Sequence, residues 1–171
     1  MQAEQAVFLS KILLDQVKNE SRTTKKVVEA VLNDKRDYRP DPKARTAMDL
    51  AWHLVSSEAW FLEGLLKGEY ATEEQKMPGD IRGIPDVVAW YERTLPGLLQ
   101  QTEKLSGEHL AKPINFYGVF NLPAVSYLSF LLAHSVHHRG QLSTYLRPMG
   151  SKVPSIYGGS ADEPFQMGAQ A

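Results

Sequence analysis

The chain has 171 residues, 19 Lys and Arg against 20 Asp and Glu, a formal charge of −1 and 43% hydrophobic residues, enough for one domain with a real core. Such a balance supplies no general attraction for a phosphate backbone or an anionic bilayer, so neither nucleic acid nor membrane is expected as a partner. The absence of cysteine excludes disulfides, thiolate metal sites and cysteine nucleophiles, and fits a reducing, cytoplasmic setting.

Four stretches carry helical periodicity, set apart by loops bearing proline and glycine. The first runs from about Gln5 to Asn33, where Leu9, Leu13, Val17, Glu20, Thr24, Val27 and Val31 recur every three or four residues. That stripe is apolar at both ends and polar in the middle. Asp37 to Lys43, with two prolines, reads as the connection. The second stretch runs from about Thr46 to Lys67. Thr46 followed by Asp49 resembles a capping box, Leu50, Leu54, Phe61 and Leu65 line one face, and Gly68 is a stop signal.

The third stretch runs from about Pro85 to Leu105. Pro85 suits a first helical turn, whereas Pro96-Gly97 predicts a kink or local break, because proline in a helix interior costs roughly 3 kcal/mol. Pro113 to Asn121, rich in aromatic and β-branched residues, suits extended chain. The fourth stretch runs from about Leu122 to Leu146, opened by Pro123 and closed by Pro148 and Gly150. Tyr127, Leu131, His134, His138, Leu142 and Tyr145 form its stripe, and the tail beyond it reads as irregular. Met1 to Leu14 lacks a basic region followed by a long apolar run, so no secretory signal peptide is expected. These features predict an all-α, antiparallel four-helix bundle, one domain over residues 1–171, in up-down order or with one crossover.

The five histidines are His53, His109, His134, His137 and His138. His134 and His138, four apart, fall one turn apart on one helix face, as the two histidines of an H-E-x-x-H helix do. Ser135 stands where that motif has its glutamate, so a zinc-protease reading lacks its general base. His137 points roughly 100° away from His138. His53 lies in the middle of the second apolar stripe, where a ring nitrogen needs a partner. Facing helices of a bundle supply metal ligands, and three neutral imidazoles suit zinc, nickel, copper or iron. The plainer alternative is three hydrogen-bonded core histidines. His109 reads as a solvated loop residue and His137 as a surface or interface residue.

The stretch His134-Ser135-Val136-His137-His138-Arg139-Gly140-Gln141, with Leu50-Ala51-Trp52-His53-Leu54 about eighty residues earlier, resembles the DinB family. These are the damage-inducible four-helix-bundle proteins, also called DinB/YfiT-like metalloenzymes. Tyr38 to Pro42 and Val153 to Gly158 add weaker matches, and the likeness covers nearly the whole chain. The resemblance implies one divalent metal ion, zinc or nickel foremost and iron as an option, held by His53, His134 and His138. It also implies a homodimer. Some relatives transfer low-molecular-weight thiols such as bacillithiol or mycothiol, and there the metal lowers the pKa of a bound thiol; a hydrolytic relative would activate water by the same physics.

Other residues carry paired readings. Asp49 is either a partner for the second His53 nitrogen or, preferably, the helix cap. Trp52, Trp60, Tyr127 and Tyr145 either wall a substrate pocket or, preferably, fill the core. Arg139 either binds the carboxylate of an anionic thiol or, preferably, forms a surface ion pair; Gln141 reads as a residue reaching the site through water, and Tyr157 as an ordinary tail residue with the option of closing over the opening. The resulting expectation is a metal-dependent transferase of the thiol type, or a hydrolase, acting on a small-molecule substrate, with no catalytic side chain assigned. The rival is a non-catalytic stress-response protein with a structural metal.

Overall fold

A computed structural model describes residues 1–72 and 75–164 of the chain. Helix α1 spans Ala3–Glu29, α2 Ala47–Lys67, α3 Ile84–Thr102, α4 Gly107–Ala111 and α5 Tyr127–Leu146. Strands β1 (Pro113–Phe116) and β2 (Phe120–Pro123) pair as an antiparallel hairpin between α4 and α5. The four long helices form the expected bundle, and the hairpin accounts for the extended segment.

Local chemistry sets the ends of α2. The Thr46 hydroxyl accepts the Asp49 N–H at 3.0 Å and donates to Asp49 Oδ2 at 2.7 Å. Thr46 is thus the N-cap residue, and Asp49 serves the cap as its partner. Gly68 ends the helix in the left-handed region, φ +76°, where a β-carbon would be strained. At the start of α3, Asp86 Oδ2 accepts the N–H groups of Arg82 and Gly83, and Asn33 Oδ1 accepts that of Ile84. The break expected at Pro96 is not seen: α3 runs unbroken through it. Pro96 and Glu92, whose carbonyl loses its helical partner to the proline ring, both lie on the exposed face, where water can satisfy that carbonyl.

The later chain departs from the expectation at two places. α5 starts at Tyr127, because Leu122 and Pro123 belong to β2 and a single 3-10 turn, Ala124–Ser126, intervenes. His109 is not a solvated loop residue. It sits half-buried on α4, where its Nε2–H donates to the Leu65 carbonyl at 2.7 Å.

Pairings between helices settle the helix order. Lys18 meets Glu103 and Lys25 meets Glu92, so α1 and α3 run antiparallel. His53 meets His138 and Phe61 meets His134, so α2 and α5 run antiparallel. Glu20 meets Arg139, and the Ala30 carbonyl accepts the Ser151 hydroxyl, so α1 and α5 run parallel. The order is up-down-down-up, with α1 and α2 across a diagonal from each other. The α2–α3 connection therefore returns along α2, and Trp52 Nε1 donates to the Gln75 carbonyl at 3.0 Å on the way. Leu50, Leu54, Leu62 and Leu65 of α2, Leu128, Leu131 and Leu142 of α5, and Val17 and Val27 of α1 fill the interior, each at most 1% exposed. Each such leucine contributes roughly 1.5–3 kcal/mol by leaving water. No described helix is long and apolar enough to cross a membrane.

Candidate metal centre

α2 and α5 face each other along the stripe that carries His53, His134 and His138. The antiparallel register places the three rings together, with centroid separations of 5.1 Å for His53–His134, 4.6 Å for His53–His138 and 4.3 Å for His134–His138. One nitrogen from each ring lies within 4.8 Å of the other two. His53 Nε2 and His138 Nε2 are 3.3 Å apart. That spacing matches the roughly 3.3 Å between two nitrogens bound at 2.0–2.1 Å to one tetrahedral ion.

The electrostatics favour neutral rings at His134 and His138. Burial, followed by the neighbouring His138 and His53, lowers His134 to about 3. Burial also lowers His138, with the Gln141 hydrogen bond pulling the other way. His134 Nδ1 is buried with no hydrogen-bond partner. A neutral imidazole with an unpartnered nitrogen, beside two others in reach, is the donor chemistry that a divalent ion takes.

Gln141 touches the site directly rather than through water. Its Oε1 lies 3.1 Å from His138 Nδ1. The amide oxygen accepts the Nδ1 proton and leaves the Nε2 lone pair toward His53. Replacing Gln141 with leucine is expected to weaken metal affinity about 10–100-fold while the fold stays intact. A competition titration with a chelating dye checks this; unchanged affinity would remove Gln141 from the site.

Trp60 lines a cavity of about 290 Å³ beside His53 and His134, as do Phe61, Phe116 and Tyr117. Trp52, Tyr127 and Tyr145 are core residues. Trp52 packs edge-on against Trp90, and Tyr127 donates its hydroxyl to the Ile114 carbonyl at 2.7 Å. His137 is exposed. Arg139 does form an ion pair, but not at the surface: it is 1% exposed and binds Glu20 Oε2, the Glu20 carbonyl and the Tyr157 hydroxyl. Tyr157 closes over Arg139, not over the cavity, and donates to Glu20 Oε2 at 2.8 Å.

Glu58 is the buried residue that sequence reasoning missed. It is 1% exposed, and it accepts hydrogen bonds from Thr24 Oγ1 at 3.0 Å and from the Tyr91 hydroxyl. The Ser135 hydroxyl faces it without a hydrogen bond of good geometry. Its position was a signal: one turn after Leu54 and one before Leu62, it lies on the buried face of α2. Burial raises its carboxyl above the ordinary value of 4.5 although the Tyr91, Ser135 and Thr24 hydroxyls pull it down. The folded chain thus keeps a proton that the unfolded chain has released. This contribution to stability is fully present below about pH 4.5 and is lost as pH rises through the raised folded value. The stability of the parent relative to Glu58→Gln is expected to fall as pH rises above about 4.5 in urea melts. A constant difference would mean that the carboxyl titrates alike in both states.

Fold and site together define a four-helix bundle whose facing helices bring three histidines to one point. The chain belongs to the DinB family, whose sequence model matches residues 2–167. It is similar to the uncharacterized YrdA protein of Bacillus subtilis strain 168, at 27% identity over 154 residues, 89% of this chain and 90% of that one. The crystal structure of the DinB-like protein YjoA from Bacillus subtilis superposes with a TM-score of 0.70 at 20% identity, over 84% of this chain and 96% of YjoA. A DinB-like protein from Bacillus cereus ATCC 10987 gives 0.71 at 24% identity, over 85% and 95%. These two structures establish the fold.

Proposed function

We propose that His53, His134 and His138 hold one divalent ion, zinc or nickel foremost, and that the protein is a metal-dependent enzyme acting on a small electrophilic molecule. The convergence of three ring nitrogens within 4.8 Å on facing helices carries this reading. A bound divalent ion would lower the pKa of a thiol or water beside it, and a low-molecular-weight thiol is the nucleophile that the family resemblance favours. The chain's own residues supply the rest. Burial keeps His134 unprotonated, Gln141 fixes the His138 tautomer, and the aromatic walls limit water at the open side. A homodimer in the cytoplasm belongs to the same reading, and light scattering checks the dimer.

The test is elemental mass spectrometry on protein purified without a nickel column, beside the double variant His53→Ala, His138→Ala. The expected result is near-stoichiometric metal in the parent and little in the variant. An empty parent that takes up none of several offered ions would leave three core histidines in a helical bundle.

A further inference from the structure

The cavity beside His53 and His134 has walls that metal binding does not require. Trp60, Phe61, Phe116 and Tyr117 make it aromatic, and among the described residues lining it none is Asp, Glu, Lys or Arg. The Trp60 and Tyr117 rings lie within 18° of parallel, with centroids 6.5 Å apart. A flat ring between two faces needs about 3.5 Å on each side, about 7 Å in all, so these two rings stack on each other and a ligand ring must lie beside them rather than between them. The volume, about 290 Å³, exceeds the roughly 150 Å³ that admits benzene in an engineered apolar cavity.

Tyr117 holds its place against the preference of its own backbone. It sits at φ +55° in the hairpin turn, followed by Gly118 at φ +72°, with the Val119 N–H bonded to the Phe116 carbonyl at 3.0 Å. Asn, Asp and Gly adopt that conformation readily, whereas an aromatic residue is strained there. The residue stays 46% exposed, so core burial does not offset the strain. Its hydroxyl donates to the Ala71 carbonyl, which sets the ring at the cavity wall. Strained residues concentrate at ligand-binding sites, and Tyr117 combines such a backbone with a side chain that lines a cavity.

We propose that the cavity binds a flat, uncharged aromatic substrate packed against its aromatic walls, Trp60, Phe61, Phe116 and Tyr117, with one edge toward His53 and His134. The inference rests on the metal-enzyme reading for its chemistry, but the binding itself needs only the cavity.

The probe is 2-naphthol, compared by calorimetry with decahydro-2-naphthol, which is not flat, and with 2-naphthoate, which is charged. Metal-depleted parent is expected to bind 2-naphthol about ten-fold more tightly than either. Tyr117→Gly, which removes the ring and relieves the backbone, is expected to lose about five-fold in affinity with an unchanged or raised Tm. Equal binding of the three probes, no binding of any, or undiminished binding by Tyr117→Gly would overturn the proposal. Nickel-loaded protein is then expected to broaden the proton NMR lines of bound 2-naphthol. Nickel uptake without broadening would put the aromatic site elsewhere and overturn the orientation. Naphthol binding by a protein that takes up no metal would support the aromatic site and refute the metal reading.

Discussion

Substituting His134 with leucine is expected to act in opposite senses with and without metal. In metal-free protein the buried Nδ1 has no hydrogen-bond partner, an arrangement that costs about 1–3 kcal/mol. Leucine removes that atom and fills similar space beside Phe61, so the metal-free variant is expected to be at least as stable as the parent. Zinc at about 1,000 times its Kd should stabilise the parent by about 4 kcal/mol, or about 8–16 °C in Tm for a chain of this size. His134→Leu should gain almost nothing. Thermal melts with zinc and with a chelator read both effects. A zinc-dependent shift that survives in His134→Leu would strike this histidine from the ligand set. A large loss in the metal-free variant would show that the ring packs as an ordinary core residue.

The second large effect lies one turn away, on the face of α5 that meets α1. Glu20→Ala should destabilise the protein by about 3 kcal/mol, because it leaves a guanidinium that is 1% exposed without its carboxylate. The Glu20 carbonyl and the Tyr157 hydroxyl would remain on Arg139, and neither carries charge. The expected Tm drop is about 6–12 °C. Glu20→Gln, which keeps an acceptor, should lose less. An Ala variant as stable as the parent would show that water reaches Arg139 freely.

The polar middle of the first helical stripe becomes intelligible through these partners. Glu20 meets Arg139 and Thr24 meets Glu58, so the interruption in apolar spacing marks where α1 covers a buried polar layer. Spacing alone displayed the interruption but not its partners, because Glu20 and Arg139 are 119 residues apart in the chain. Arg139 was misread for a related reason. α5 buries two faces, one against α2 and one against α1, and a single stripe accounts only for the first. The juxtaposition of His134 and His138 was legible because a four-residue spacing fixes it, and His53 because it interrupts an apolar face. The five-residue α4 is too short to show a period, so His109 passed for a loop residue. Helix order was beyond reach, since periodicity describes one helix at a time.

The separation of the three histidines along the chain has a consequence for biogenesis. His53 belongs to the second helix and the other two to the last long one. During synthesis the earlier helices emerge and begin to pack while the cluster still lacks two of its three rings. An ion held by all three rings would therefore be captured only after α5 has docked antiparallel to α2. Loading would then be a finishing step, and a captured ion would close a loop of roughly eighty residues, resisting chain opening as a late crosslink does.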